Sequence, residues 1–216
     1  VLVSKNSEYM SFKEEIKEKS HLRQILGDVS DSVVEQFERW WDKYGISLTQ
    51  IDSELNAEGM AQTEKIAERI KDSLFDLVLC SPLKRTRKTL EMILEKHTQD
   101  KLEDVINFEE GLKERDWGSM SGELWKDVDF QNLPIDAEKR EDFVGRIVST
   151  LEKYYAENKD SKVLIVTHGG VVIKLLEELF GQDSPRVPNV SLTVFKFCID
   201  GNHKLIMEPC NAHLNN

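Results

Sequence analysis

Three cysteines, five prolines and five histidines among 216 residues leave few special devices for building this protein. Cys80, Cys198 and Cys210 are odd in number and lack metal-type spacing, which argues against a disulfide scaffold or a zinc site. Reduced thiols in a cytoplasmic protein are the plain alternative. No apolar run approaches the ~20 residues that a membrane-spanning helix needs. Positive charge is also scarce: 29 Lys and Arg stand against 40 Asp and Glu, a formal net charge of −11. Such a chain repels a nucleic-acid backbone or an anionic bilayer on average, so neither is an expected partner. A local anion pocket is still compatible with that charge.

What is present is ordinary for a folded protein. Hydrophobic residues at 39% and charged residues at 32% exclude wholesale disorder, and the length suits one compact domain with a sizeable core. The chain opens on Val1-Leu2-Val3, an apolar run that reads as a buried strand and leaves a removed leader open. Apolar residues at Val34, Phe37, Trp40, Trp41 and Tyr44 have helical spacing, and Gly45 ends that stretch. A second helix is predicted over Ala57–Leu74 with Met60, Ala67 and Ile70 inward. Leu77–Leu79 is the next strand, broken at Ser81-Pro82, and the following helix carries Leu83, Leu90, Ile93 and Leu94. Residues 111–135 have no clean period and read as loop with one short helix. Phe143, Ile147, Leu151 and Tyr154 mark another amphipathic helix. Val163–Val166 is the strongest strand, four apolar residues in a row as in a strand covered on both faces. A helix then runs through Phe180, and two strands, Leu192–Cys198 and Leu205–Met207, flank a Gly201-Asn202 turn.

Strands alternate with helices, so the expected fold is α/β: a three-layer α/β/α sandwich around a largely parallel sheet. Ligands of such sheets sit beyond the carboxyl ends of the strands. Three polar segments fall there: Ser4–Glu8, Ser81–Arg87 and Thr167–Gly170.

The chemistry of these segments points to an anion. Lys84, Arg85, Arg87 and Lys88 crowd a predicted helix start, where free N–H groups and the positive dipole end favour phosphate. Arginine adds two-pronged donation to phosphate oxygens; a solvated charged face is the bland alternative. His168 follows a buried strand and is flanked by glycines that would let a ligand approach the backbone. Glu114 lies on a loop among glycines and Trp117, where a desolvated carboxyl group could act as a general acid or simply be a surface glutamate.

Taken together, these stretches resemble the histidine phosphatase superfamily, the phosphoglycerate mutase-like proteins. The resemblance is carried by Leu55–Gln62, Ser81–Thr86 through Thr89, Leu112–Glu114 through Gly122, and Val166–Gly170, with weaker echoes at Asn189–Leu192 and Asn211–Leu214. It implies that Arg85 holds the phosphoryl group, Glu114 protonates the leaving group and His168 is the second, phosphate-stabilising histidine. It implies no cofactor and no metal.

The resemblance fails at one point. The family's first strand ends in an Arg-His-Gly motif whose histidine attacks phosphorus, whereas this chain, aligned from Leu2-Val3, reads Ser4-Lys5-Asn6. Lysine titrates near 10.4, so only about one molecule in 2,500 is neutral at pH 7. Lys5 is therefore expected to attract phosphate together with Ser4, Arg85 and His168, and not to attack it. A further departure is a helical insertion at about 9–50, a candidate surface for a protein partner. The expectation is a single domain over residues 1–216 that binds phosphate or a small phosphorylated ligand with impaired catalysis. Two rivals stand beside it: an active phosphomonoesterase or mutase with a substituted mechanism using Glu114 and His168, and an interaction protein with a relic pocket.

Overall fold

The computed structural model describes residues 52–121, 132–182 and 187–215. Lys5, Ser4, the strand at Val1–Val3, the helix over Val33–Tyr44 and the insertion at about 9–50 lie outside the described residues. Among those described, the elements are α1 (Ala57–Ile70), β1 (Leu77–Cys80), α2 (Lys84–Lys96), β2 (Ile106–Phe108), α3 (Arg140–Glu157), β3 (Val163–Val166), α4 (Gly169–Phe180), β4 (Leu192–Lys196) and β5 (Lys204–Cys210). Short 3₁₀ turns precede β2, follow it and end the chain.

Strand β1 pairs in parallel with β2 on one side and β3 on the other. β4 and β5 form a separate antiparallel pair across the predicted turn. Alternation along β1 and β3 builds the three layers. Val78 and Cys80 of β1 and Leu164 and Val166 of β3 turn to one face, where Ile66 and Ile70 of α1 and Leu90 and Ile93 of α2 cover them. Leu77 and Leu79 turn to the other face with Leu112 and Ile165, over which Phe143, Ile147 and Leu151 of α3 and Val171 and Leu175 of α4 close. Each fully buried side chain of this kind contributes roughly 1.5–3 kcal/mol.

Local chemistry sets the ends. The Asn56 side chain accepts from Gly59 N and caps α1. Helix α1 stops at Ile70, four residues short of the expected end, because Lys71 and Asp72 turn away and Leu74 is exposed. Met60, expected inward, is 40% exposed; Gly59 and Thr63 take the buried stripe instead. Cover on both faces was expected of β3, but Val163 and Ile165 there are only half-buried; the strand buried at all four positions is β1. Pro82 and Leu83 precede α2, which begins at Lys84.

Candidate active site

Three segments leave the carboxyl ends of the parallel strands and meet. Backbone bonds extend the ladders past the strands: Ser81 N donates to Val166 O and Glu109 N to Cys80 O. Ser81 is therefore tied to the end of β3, from which Thr167 and His168 follow.

After β1 the chain turns sharply into α2. Thr86 Oγ1 donates to both Ser81 O and Leu83 O, and the Asp52 carboxylate accepts from Lys84 N. This turn sorts the four cations. Lys84 and Arg87 point outward, Arg87 lying over the Phe108 ring at 4.1 Å, and Lys88 pairs with Glu91. Only Arg85 turns inward, at 6% exposure. Burial lowers its guanidinium from the ordinary value, and the nearby carboxylates of Glu114 and Asp52 oppose that shift. A buried arginine in the first turn opposes its own helix dipole, and an anion at the same place satisfies both. The charged-face reading thus holds for three of the cations and fails for Arg85.

After β2 a 3₁₀ turn (Glu110–Leu112) leads into Glu114. Arg146 of α3 shapes this loop with its whole donor set. Its Nη1 donates to Gly111 O and Lys113 O at 2.8 Å, and Nη2 donates to Glu114 O at 3.0 Å. Its Nε and Nη2 grip both carboxylate oxygens of Glu138 at 2.6 and 3.0 Å. Five N–H groups make five bonds. Further along, Gly118 has φ +55°, and a Cβ there would stand 2.6 Å from the Asp136 backbone, so only glycine fits.

The Glu114 carboxylate reaches the start of α4, where Oε2 accepts from Gly170 N at 3.1 Å and Oε1 from Arg115 N at 3.0 Å. Burial raises its pKa, against the lowering effect of these two N–H groups and of Arg85 and Arg146. The group is a carboxylic acid that keeps its proton longer than an exposed glutamate, as a proton donor requires.

His168, 2% exposed, caps α4. Burial holds its pKa well below the ordinary value, and the Arg85 and Arg146 charges add to the effect, so the ring is neutral near pH 7. Its Nε2 lies 2.7 Å from Ser81 Oγ. Next to it, Thr167 Oγ1 donates to Leu112 O and ties β3 to the Glu114 loop.

Arg85, Glu114 and His168 therefore come together; Arg85 and His168 are buried and Glu114 is half-buried. One of the flanking glycines has a use beyond the one expected. At Gly170 the Glu114 carboxylate occupies the space that a Cβ would need. Arg146, Glu138 and the Ser81 hydroxyl were not legible as parts of this site. Arg146 sits one residue from the apolar stripe Phe143–Ile147, and nothing in its spacing separates it from a solvated cation. Among the described residues no group of three His, Cys, Asp or Glu side chains could hold a metal, and no helix is long and apolar enough to cross a membrane.

The family model for the histidine phosphatase superfamily (branch 1) matches residues 38–207. The chain belongs to this superfamily. An uncharacterized phosphatase, PhoE, of Bacillus subtilis is 31% identical over 171 residues, 76% of this chain and 86% of that protein. A metal-independent phosphoserine phosphatase of Arabidopsis thaliana is 30% identical over 175 residues, 74% of this chain and 69% of that protein. Among solved structures, the histidine phosphatase fold recurs in a phosphoserine phosphatase mutant of Entamoeba histolytica in complex with phosphoserine. Its TM-score is 0.65 at 21% identity, covering 81% of this chain and 93% of that one. The superfamily match includes Arg85, Glu114 and His168; Ser4 and Lys5 precede it. These relatives support a phosphatase- or mutase-like role.

Proposed function

We propose that this chain binds the phosphoryl group of a small phosphorylated ligand between Arg85 and His168, with Lys5 and Ser4 completing the pocket. We further propose that hydrolysis is impaired because Lys5 stands where the superfamily has its nucleophilic histidine. The observation that carries the reading is the convergence of a buried guanidinium and a neutral, buried imidazole at the ends of adjacent parallel strands. Arg85 supplies charge and paired donors, and His168 supplies one N–H. Lys5 adds an ammonium whose lone pair is occupied by a proton. The relatives make phosphoserine the first ligand to try. The unbridged thiols of Cys80, Cys198 and Cys210 fit a reducing compartment, and we place the protein in the cytoplasm.

The test is thermal unfolding with inorganic phosphate or phosphoserine, beside phosphate release from the same ester. Protection of wild type that is lost in Arg85→Gln, without release above a His168→Gln background, supports the reading. Absence of protection by either anion refutes it.

A second reading, turnover by a substituted mechanism, is favoured by Glu114. A carboxyl group whose titration is raised by burial suits protonation of a leaving group, a task that a site which only binds does not have. Here Glu114 would protonate the ester oxygen of the leaving group while water attacks phosphorus in line. Release abolished by Glu114→Gln distinguishes this reading from the first.

A further inference from the structure

The hydroxyl of Ser81 is one of the most enclosed polar groups in the molecule, at 0% exposure for the residue, and the site described so far gives it no task. Its backbone is fixed on both sides: Ser81 N donates to Val166 O, and Ser81 O accepts from Thr86 Oγ1. Among the described residues its Oγ has one hydrogen-bond partner, His168 Nε2, at 2.7 Å. We propose that Ser81 is a positioning residue for His168: its hydroxyl donates to Nε2, confines the ring proton to Nδ1 and presents an N–H donor to a phosphoryl oxygen.

Two placements of the protons are conceivable. If Nε2–H donates to Ser81 Oγ, the serine proton lies buried with no acceptor among the described residues, and Nδ1 shows a lone pair to an incoming phosphate. An unmade buried donor and a lone pair facing an anion are both unfavourable. If the serine donates, its proton is satisfied and the neutral ring carries its single proton on Nδ1. Among the described residues Nδ1 has no hydrogen-bond partner, so it is the nitrogen left for a ligand. A second ring proton would remove the choice, but burial beside Arg85 keeps the imidazole neutral. Free histidine favours the opposite tautomer, Nε2–H, so the arrangement has to be imposed, and a serine locked to the strand ladder can impose it.

The inference rests on the phosphate-binding reading above, and its test separates the two. Protein labelled with ¹⁵N-histidine is examined by long-range ¹H–¹⁵N correlation at neutral pH, with and without inorganic phosphate, His168 being assigned by its loss in His168→Gln. The expected spectrum shows Nδ1–H for His168 in wild type. Ser81→Ala, which removes one oxygen, is expected to bring in the Nε2–H form and weaken phosphate about fivefold or more. Nε2–H in wild type overturns the proposal, and that result needs no variant to fold. An unchanged tautomer in a folded Ser81→Ala protein overturns it as well. An Nδ1–H ring that ignores millimolar phosphate upholds the Ser81 assignment and refutes the phosphate-binding reading instead.

Discussion

The carboxylate of Glu114 fills the space that a side chain at residue 170 would need: a Cβ on Gly170 would stand 2.2 Å from Glu114 Oε1. The same glycine donates its N–H to Oε2, so α4 both admits the acid and orients it.

Gly170→Ala should therefore separate stability from function. The colliding atom is the free end of a flexible side chain, so the fold is expected to survive with a small change in melting temperature. The carboxyl group must leave the helix N-terminus and lose the Gly170 N–H, so its titration is expected to change. A displacement of about 1 Å can cost on the order of 100-fold in rate. Carboxyl ¹³C titration of Glu114 is the check, with hydrolysis of a phosphomonoester beside it where wild type turns over. Unchanged titration would mean that residue 170 does not position the acid.

Glu114→Gln tests the acid itself. Loss of a proton donor is expected to reduce release from alkyl phosphates by about 10²–10⁴-fold, and release from p-nitrophenyl phosphate, whose leaving group needs little protonation, far less. The sign of the pH effect follows from the direction of the shift. A carboxyl group whose pKa is raised on folding stabilises the folded form below its ordinary titration and loses that contribution as pH rises through the raised value. The melting temperature of Glu114→Gln relative to wild type should thus climb between pH 4 and 7. A difference that stays flat or falls contradicts the assignment.

The β1 and β3 strands, the α2–α4 helices and two of the converging segments, Ser81–Arg87 and Thr167–Gly170, were legible because each rests on local pattern: apolar runs, helical spacing and a glycine-flanked histidine. Ser4–Glu8 lies outside the described residues, and the Glu114 loop was not placed at a strand end. Arg85 could be named among four cations only through the resemblance; the turn at Ser81–Leu83, which decides which of them faces inward, is a tertiary feature. Strand β2, three residues long and half-exposed, leaves no trace in periodicity. Met60 misled because helical spacing cannot distinguish the edge of a buried stripe from its centre. The Arg146–Glu138–Glu114 arrangement joins residues 32 positions apart and has no local signature.

His168 predicts an acid limb of opposite sign. Its pKa is depressed on folding, so the unfolded chain takes up a proton near pH 6.5 while the folded one refuses it. Wild type should lose stability as pH falls below that point, and His168→Gln should lose less. The relative melting temperature of the variant is expected to increase by up to about 4 °C for each pH unit between 6.5 and 5. Parallel curves for the two proteins would show that the imidazole titrates normally.

Arg146→Lys measures how much the loop depends on one guanidinium. Lysine offers three rotatable donors in place of five in a fixed fork, and it cannot serve three carbonyls and a carboxylate together. The pair with Glu138 is no surface ion pair: the side chains are 24% and 15% exposed, and the contact is two-pronged. Loss of several charge-assisted bonds should cost about 2–4 kcal/mol, a drop of roughly 5–15 °C in melting temperature. Faster amide exchange should appear at the Glu114 loop, whose geometry this residue holds. A normal melting temperature with normal exchange would show that the backbone holds the loop unaided.

The proposed place of Lys5 at the nucleophile position gives the sharpest test, because impairment there would come from charge alone. A protonated amine has no lone pair with which to attack phosphorus, whereas an imidazole has one near pH 7. On the proposed alignment Lys5→His would restore the nucleophile but leave Ser4 and Asn6 in place of the motif's arginine and glycine. The single variant should therefore gain little, and the triple variant Ser4→Arg, Lys5→His, Asn6→Gly should gain at least about 100-fold in phosphate release over wild type. A trapped phosphohistidine, labile to acid and absent when His168 alone is present, would identify the new nucleophile. If wild type already releases phosphate as fast as the triple variant, Lys5 does not impair the site, and attack must come from water or from another group in the pocket.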